Sequence, residues 1–102
     1  MKIVLGTAPV EAAEKLSSTL VAERLAACVN VLPRVVSVYR WEGKVERAEE
    51  ALLVAKTSEK TLKRLMARIA EIHPYETPEI VALDVAVAND PYLRWVAAET
   101  TP

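Results

Sequence analysis

Apolar residues recur at two different periods along this chain, and the switches between them mark out the elements. Lys2 to Leu5 is a short β-branched run closed by Gly6, which predicts a first strand. From Pro9 to about residue 26 the period lengthens: Ala12, Leu16 and Leu20 step by four along one face, with Val21 and Leu25 beside them. Glu14, Lys15, Ser18 and Glu23 fall away from that stripe, so the segment predicts an amphipathic helix. Thr7 is its expected cap, Pro9 suits its first turn, and Glu11 and Glu14 suit its positive end. Cys28 to Trp41 is rich in Val and aromatics and predicts a long strand, with Pro33 forcing a bend, bulge or edge at its centre. Glu42-Gly43 supplies a turn.

Lys44 to Thr57 carries both periods. Val45, Ala48, Leu52 and Ala55 have helical spacing among good helix formers, whereas Leu52-Leu53-Val54 resembles a buried strand entered through a hairpin. Propensity alone favours helix. Thr57 or Ser58 then caps a helix to about Ile72, striped by Leu62, Leu65, Met66, Ile69 and Ile72 and supported by a Glu59–Lys63 pair. His73-Pro74 stops it, because a residue before proline is pushed out of the α region. Glu79 to Val87 predicts a last strand, and Asn89-Asp90-Pro91 opens a short helix carrying Tyr92 and Trp95. There is no internal repeat and no linker, so residues 1–102 read as one domain.

Composition narrows the function classes. A chain that is 52% hydrophobic and 26% charged, with six Pro and two Gly, is neither disordered nor low-complexity. Its net charge of −1 provides no basic field, so no nucleic-acid and no anionic-membrane partner is expected. No apolar run is long enough for a signal peptide or a membrane helix. One cysteine cannot form an intrachain disulfide, so a cytoplasmic location is expected.

Two strands of about 14 residues would span roughly 45 Å, against a width of about 33 Å for a compact chain of this length. The hairpin from Cys28 to Thr57 therefore overhangs its own core, carrying Val35, Val36, Val38, Tyr39 and Trp41. Either Pro33 folds it back over the domain or a partner chain covers it, and partner pairing is favoured because exposed strand edges need covering.

Five short strings then carry a likeness. They are Ala26-Ala27-Cys28-Val29-Asn30, Tyr39-Arg40-Trp41-Glu42-Gly43, Lys56-Thr57, His73-Pro74-Tyr75 with Pro78-Glu79-Ile80, and Tyr92-Leu93-Arg94-Trp95. In that order, from about Lys2 to Trp95, the chain resembles the CutA family of divalent-cation tolerance proteins. The resemblance implies that Lys44 to Thr57 is a strand, giving an α+β, ferredoxin-like split β-α-β sandwich of order βαββαβ plus a C-terminal helix. It also implies a tight homotrimer assembled through the long β-hairpin, and an association with copper and other divalent metal ions. That trimer is similar to the PII signalling proteins, whose lateral clefts bind small-molecule effectors. No enzymatic activity is implied.

The metal positions depart from the family pattern. Copper ligands described in some members, a first-strand Cys and two consecutive His before the Pro, correspond here to Gly6, Ile72 and His73. His73 is thus the one metal ligand carried over, for copper(II), with Glu76 and Glu79 as neighbouring oxygen donors. Its alternative role is to cap the helix end, which needs no ligand and is favoured. Cys28, Lys56, Tyr75, Glu79 and Trp41 are the further candidates for an intersubunit cleft. Cys28 has the alternative of a small buried hydrophobe, Lys56 of a snorkelling side chain, Glu79 of a partner to a nearby cation, and the aromatics of an interface. Cys28 with His73 could form a nucleophile–base pair, but no third orienting residue is indicated, and an enzyme ranks below a metal or small-effector binding protein. An RNA-binding variant of the fold ranks lower still, because Ile80 to Val87 holds no stacking aromatic.

Overall fold

Residues 51–57 decide the architecture. Ala51, Leu53, Ala55 and Thr57 are buried while Leu52, Val54 and Lys56 between them are half-buried, a period of two that only a strand produces. Propensity favoured helix here; burial of alternate residues against two helices overrides it. The computed structural model describes residues 1–101. Its elements are β1 (Lys2–Ala8), α1 (Val10–Ala22), β2 (Cys28–Trp41), β3 (Lys44–Thr57), α2 (Leu62–Ile72), β4 (Val81–Asp84) and α3 (Asp90–Glu99). This is the βαββαβ arrangement with a C-terminal helix, on an antiparallel sheet of order β2-β3-β1-β4.

One face of the sheet is covered. Val4 and Ala8 of β1 and Ala51, Leu53 and Ala55 of β3 pack against Ala13, Leu16 and Leu20 of α1 and Leu65 and Ile69 of α2. The other face has no helix over it among the described residues. Leu5 lies opposite Val54 and Val81, Ile3 opposite Leu83, and Leu32 opposite Leu52, so these apolar side chains share that face, and none is buried.

The hairpin is long and straight. Glu42 and Gly43 both have positive φ, 50° and 81°, as a two-residue primed turn requires. At Pro33 the register slips between Leu32 and Val35, so the proline sits in a bulge, where its missing N–H breaks no ladder bond. β1 reaches only as far as Ala51 of β3, which leaves Lys44 to Glu50 paired with β2 alone. That arm extends about 23 Å beyond the shared sheet and explains principal extents of 44 × 25 × 22 Å. Pro33 does not fold it back.

Several boundaries differ from the sequence reading. Thr7 belongs to β1, and Pro9 takes the N-cap position of α1 without a side-chain bond. α1 ends at Ala22, because Arg24 adopts a left-handed conformation (φ 61°) that closes the helix with the Leu25 and Ala26 N–H groups on the Leu20 carbonyl. α2 begins at Leu62, so Glu59 and Lys63 do not share a helix, and Glu59 approaches Lys2 instead. β4 is only four residues long: its ladder runs from Leu5↔Val81 to Lys2↔Asp84, where β1 begins, and the chain before Val81 does not pair with Gly6 to Ala8. Gly6 is needed just beyond that ladder: a Cβ there would lie 2.8 Å from the backbone oxygen of Glu79.

Candidate functional site

The segment between α2 and β4 turns across the root of the hairpin arm and encloses a groove of about 780 Å³. Its walls carry Tyr39 and Trp41 from β2, Glu50 from β3, and Tyr75, Glu76 and Glu79 from the connecting segment. Thr7 and Ser37 add hydroxyls, and among the described residues no Lys or Arg lines it.

His73 builds this corner rather than facing the groove. It is the C-cap residue of α2, its backbone N–H donating to the Ile69 carbonyl at 2.9 Å. Its ring is buried, with Nε2 2.7 Å from the Thr7 carbonyl, and Nδ1 accepts from the Tyr75 backbone N–H at 3.0 Å. A carbonyl can only accept, so Nε2 carries the proton in this arrangement and Nδ1 is the acceptor. The imidazole therefore ties α2 to β1 and sets the start of the groove's wall, with the Tyr75 ring tilted at 4.8 Å. The expected bond from the imidazole to its own helix's orphan carbonyls is absent. The sequence could not show that a carbonyl of β1 comes within reach.

Tyr75 reaches across the groove, its hydroxyl donating to Oε2 of Glu50 at 2.7 Å. Burial, then the hydrogen bond and the charge of Glu50, push the phenol well above its usual range, so it stays a donor. Glu50 is 6% exposed. Its other oxygen has neither a hydrogen bond nor an ion pair among the described residues, and it is not fully sealed, since Ser17 Oγ is the unsatisfied, fully buried side-chain atom among them, while Glu50 lines the groove. The sequence reading did not single out Glu50. Once the segment is a strand, Glu50 falls in phase with Leu52 and Val54, and a carboxylate in phase with an apolar face is the available signal.

Trp41, Tyr75 and Glu79 are thus brought together, with Glu76 beside them and His73 behind. Cys28 and Lys56 are not. They face each other across β2 and β3, Lys56 Nζ lying 3.9 Å from Cys28 Sγ, near the Ile3 end of β1. His73 holds Thr7, four residues further along that strand, roughly 13 Å away. No Cys–His pair is assembled. Cys28 is half-buried rather than a core residue, with Tyr92 close enough that its phenol is shifted upward, by burial first and by the thiol second.

The residues present do not make a metal cage within one chain. Among the described residues no group of three or more His, Cys, Asp or Glu side chains converges as a metal site, and both ring nitrogens of His73 are engaged. No helix among them is long and apolar enough to cross a membrane.

Comparison with known proteins places this geometry. The CutA1 divalent ion tolerance protein family matches residues 2–99. The divalent-cation tolerance protein CutA of Thermus thermophilus is 45% identical over 100 residues, covering 97% of each chain. The chloroplastic CutA of Arabidopsis thaliana is 43% identical over 88% of this chain, which spans 50% of that protein. Among solved structures, a point variant of CutA1 from Pyrococcus horikoshii superposes with a TM-score of 0.95 at 43% identity over the whole of both chains. A PII-like CutA from Nostoc gives 0.95 at 40% identity, covering 99% of this chain and 98% of the other.

Proposed function

The chain belongs to the CutA1 divalent ion tolerance family, and we propose that it works as a homotrimer whose groove is a ligand site completed by a neighbouring subunit. Membership makes it a non-catalytic protein. The observation that carries the proposal is that the groove's outer wall is the hairpin arm, a two-stranded ribbon that pairs with no third strand of its own chain beyond Ala51 among the described residues. The uncovered apolar face of the sheet supports the same assembly, because large apolar surfaces are left open where another subunit covers them. Free edges on β2 and β4 provide two unlike surfaces that can pair head to tail and close a ring. The location is cytoplasmic in this reading, in keeping with the single unpaired cysteine.

Copper(II) enters as a weak ligand at the corner behind the groove. His73 can offer Nδ1 to a metal only by releasing the Tyr75 N–H, with Glu76 and Glu79 supplying oxygen donors. The description of the Nostoc relative as PII-like favours a small-molecule effector as the principal occupant. Light scattering at micromolar concentration should give the mass of three chains. Calorimetry should give copper(II) affinity no tighter than roughly micromolar, about 8 kcal/mol, stronger than for magnesium and reduced by His73→Ala. A stable monomer would remove the assembly. Equal copper binding by wild type and His73→Ala would leave the histidine as a structural link alone.

A further inference from the structure

We infer that the groove selects an organic cation, a quaternary or protonated amine carrying an apolar body, over anionic effectors and over bare metal ions. The inference rests on the reading of the groove as a ligand site. Glu50 is the starting point. A carboxylate buried to this degree is normally paired with a cation, because desolvating a charge is costly without one. Here Oε2 has only the neutral Tyr75 hydroxyl, and Oε1 opens toward the groove without a partner among the described residues.

The surroundings repeat that preference. Glu76 and Glu79 add negative charge along the connecting segment, and among the described residues no basic side chain lines the groove. An anionic effector such as a nucleotide phosphate would meet three carboxylates and no counter-charge. A bare divalent ion would need a close cage of donors, which the described residues do not assemble. An alkylammonium needs neither. It takes one carboxylate and aromatic faces, and Tyr39, Trp41 and Tyr75 stand around the cavity, Trp41 being 47% exposed in the single chain. Aromatic faces attract ammonium groups by the ring quadrupole and bury the attached carbons as well. A groove of about 780 Å³ is also far larger than a hydrated metal ion requires and falls in the size range of small-molecule sites.

The test uses the assembled protein with choline, its neutral carbon isostere 3,3-dimethyl-1-butanol, citrate and Cu²⁺ as probes in titration calorimetry. Choline should bind saturably, and the neutral isostere should bind at least about ten-fold more weakly. Glu50→Gln keeps an acceptor for the Tyr75 hydroxyl but removes the charge, and should lower choline affinity by a similar factor with the oligomer intact. Glu79→Gln, at an exposed position, provides a second variant with no folding burden and should weaken choline by a smaller factor. Equal binding of choline and its isostere, or binding of citrate or Cu²⁺ in place of choline, would overturn the cation inference while leaving the groove a ligand site. If no probe binds and Glu50→Gln instead dissociates the oligomer, a basic side chain of a neighbouring subunit fills the groove, and both readings fall.

Discussion

Tyr75 and Glu50 hold each other in the states that shape the groove. The phenol donates, the carboxylate accepts, and burial together with the neighbouring negative charge keeps the phenol protonated. An unfolded tyrosine ionises near pH 10. The folded phenol ionises higher, so the folded state holds this proton more tightly. The resulting stabilisation is fully present below about pH 10 and is lost as pH rises from there toward the folded value. Wild type should therefore lose stability above about pH 10 more steeply than Tyr75→Phe, measured as denaturant midpoints at each pH. At neutral pH the same variant should be less stable by about 1–3 kcal/mol, because the buried carboxylate loses its donor. Parallel pH profiles would show that the phenol titrates as it does in the unfolded chain. His73 acts at the same scale but differently, since its two hydrogen bonds join β1 to the connecting segment and give the groove a fixed edge.

At the scale of elements, legibility followed hydrophobic period and failed where tertiary contacts replace it. The stripe Leu62, Leu65, Met66, Ile69, Ile72 places α2 because that helix has one buried face and little else acting on it. The turn at Glu42-Gly43 and an irregularity at Pro33 were readable because each follows from a local backbone restriction, whereas the primed type of the turn and the choice of bulge over bend came from the structure. β3 was not readable by period, since its first half is an arm exposed on both faces and its alternation begins only at Ala51. The family resemblance supplied that strand, and with it the sheet. Trp41, Tyr75 and Glu79, named from the sequence, line the groove. Glu50 was hidden because its burial depends on a segment 25 residues away in sequence. The end of α1 was hidden too. Arg24 holds a left-handed conformation more natural to glycine, and its guanidinium donates at 2.6 Å to the carbonyls of both Ala98 and Thr101 at the end of α3. Positive charge at the α3 C-terminus also suits the helix dipole. Tether and strain can be separated experimentally. Arg24→Ala loses the tether and keeps the strained φ, while Arg24→Gly loses the tether and relieves the strain. The glycine variant should therefore be the more stable of the two by about 1 kcal/mol in urea denaturation. A more stable alanine variant would mean that φ at residue 24 carries no strain.

The whole molecule is a half-covered sandwich with an overhanging arm, and its exposed apolar residues are concentrated where a single chain has no use for them. Val38 on the arm is 66% exposed, and Leu83 on the uncovered sheet face is 45% exposed. In an isolated chain, substitutions at such positions change stability by only about 0.5 kcal/mol. In a trimer built through the arm and the open face, the same substitutions place a desolvated charge against apolar neighbours, which is strongly unfavourable without a partner. Val38→Asp and Leu83→Asp should therefore leave the secondary structure seen by circular dichroism intact at low concentration while abolishing the trimer mass in light scattering. The thermal midpoint should show it as well. For wild type it should rise with protein concentration, because unfolding is linked to dissociation, whereas for the charged variants it should be lower and independent of concentration. Removal of the trimer by only one of the two variants would confine the interface to that variant's surface. Retention of a wild-type mass by both would mean that neither the arm nor the open face is the assembly surface, and the groove would then lack the second subunit that the proposed function requires.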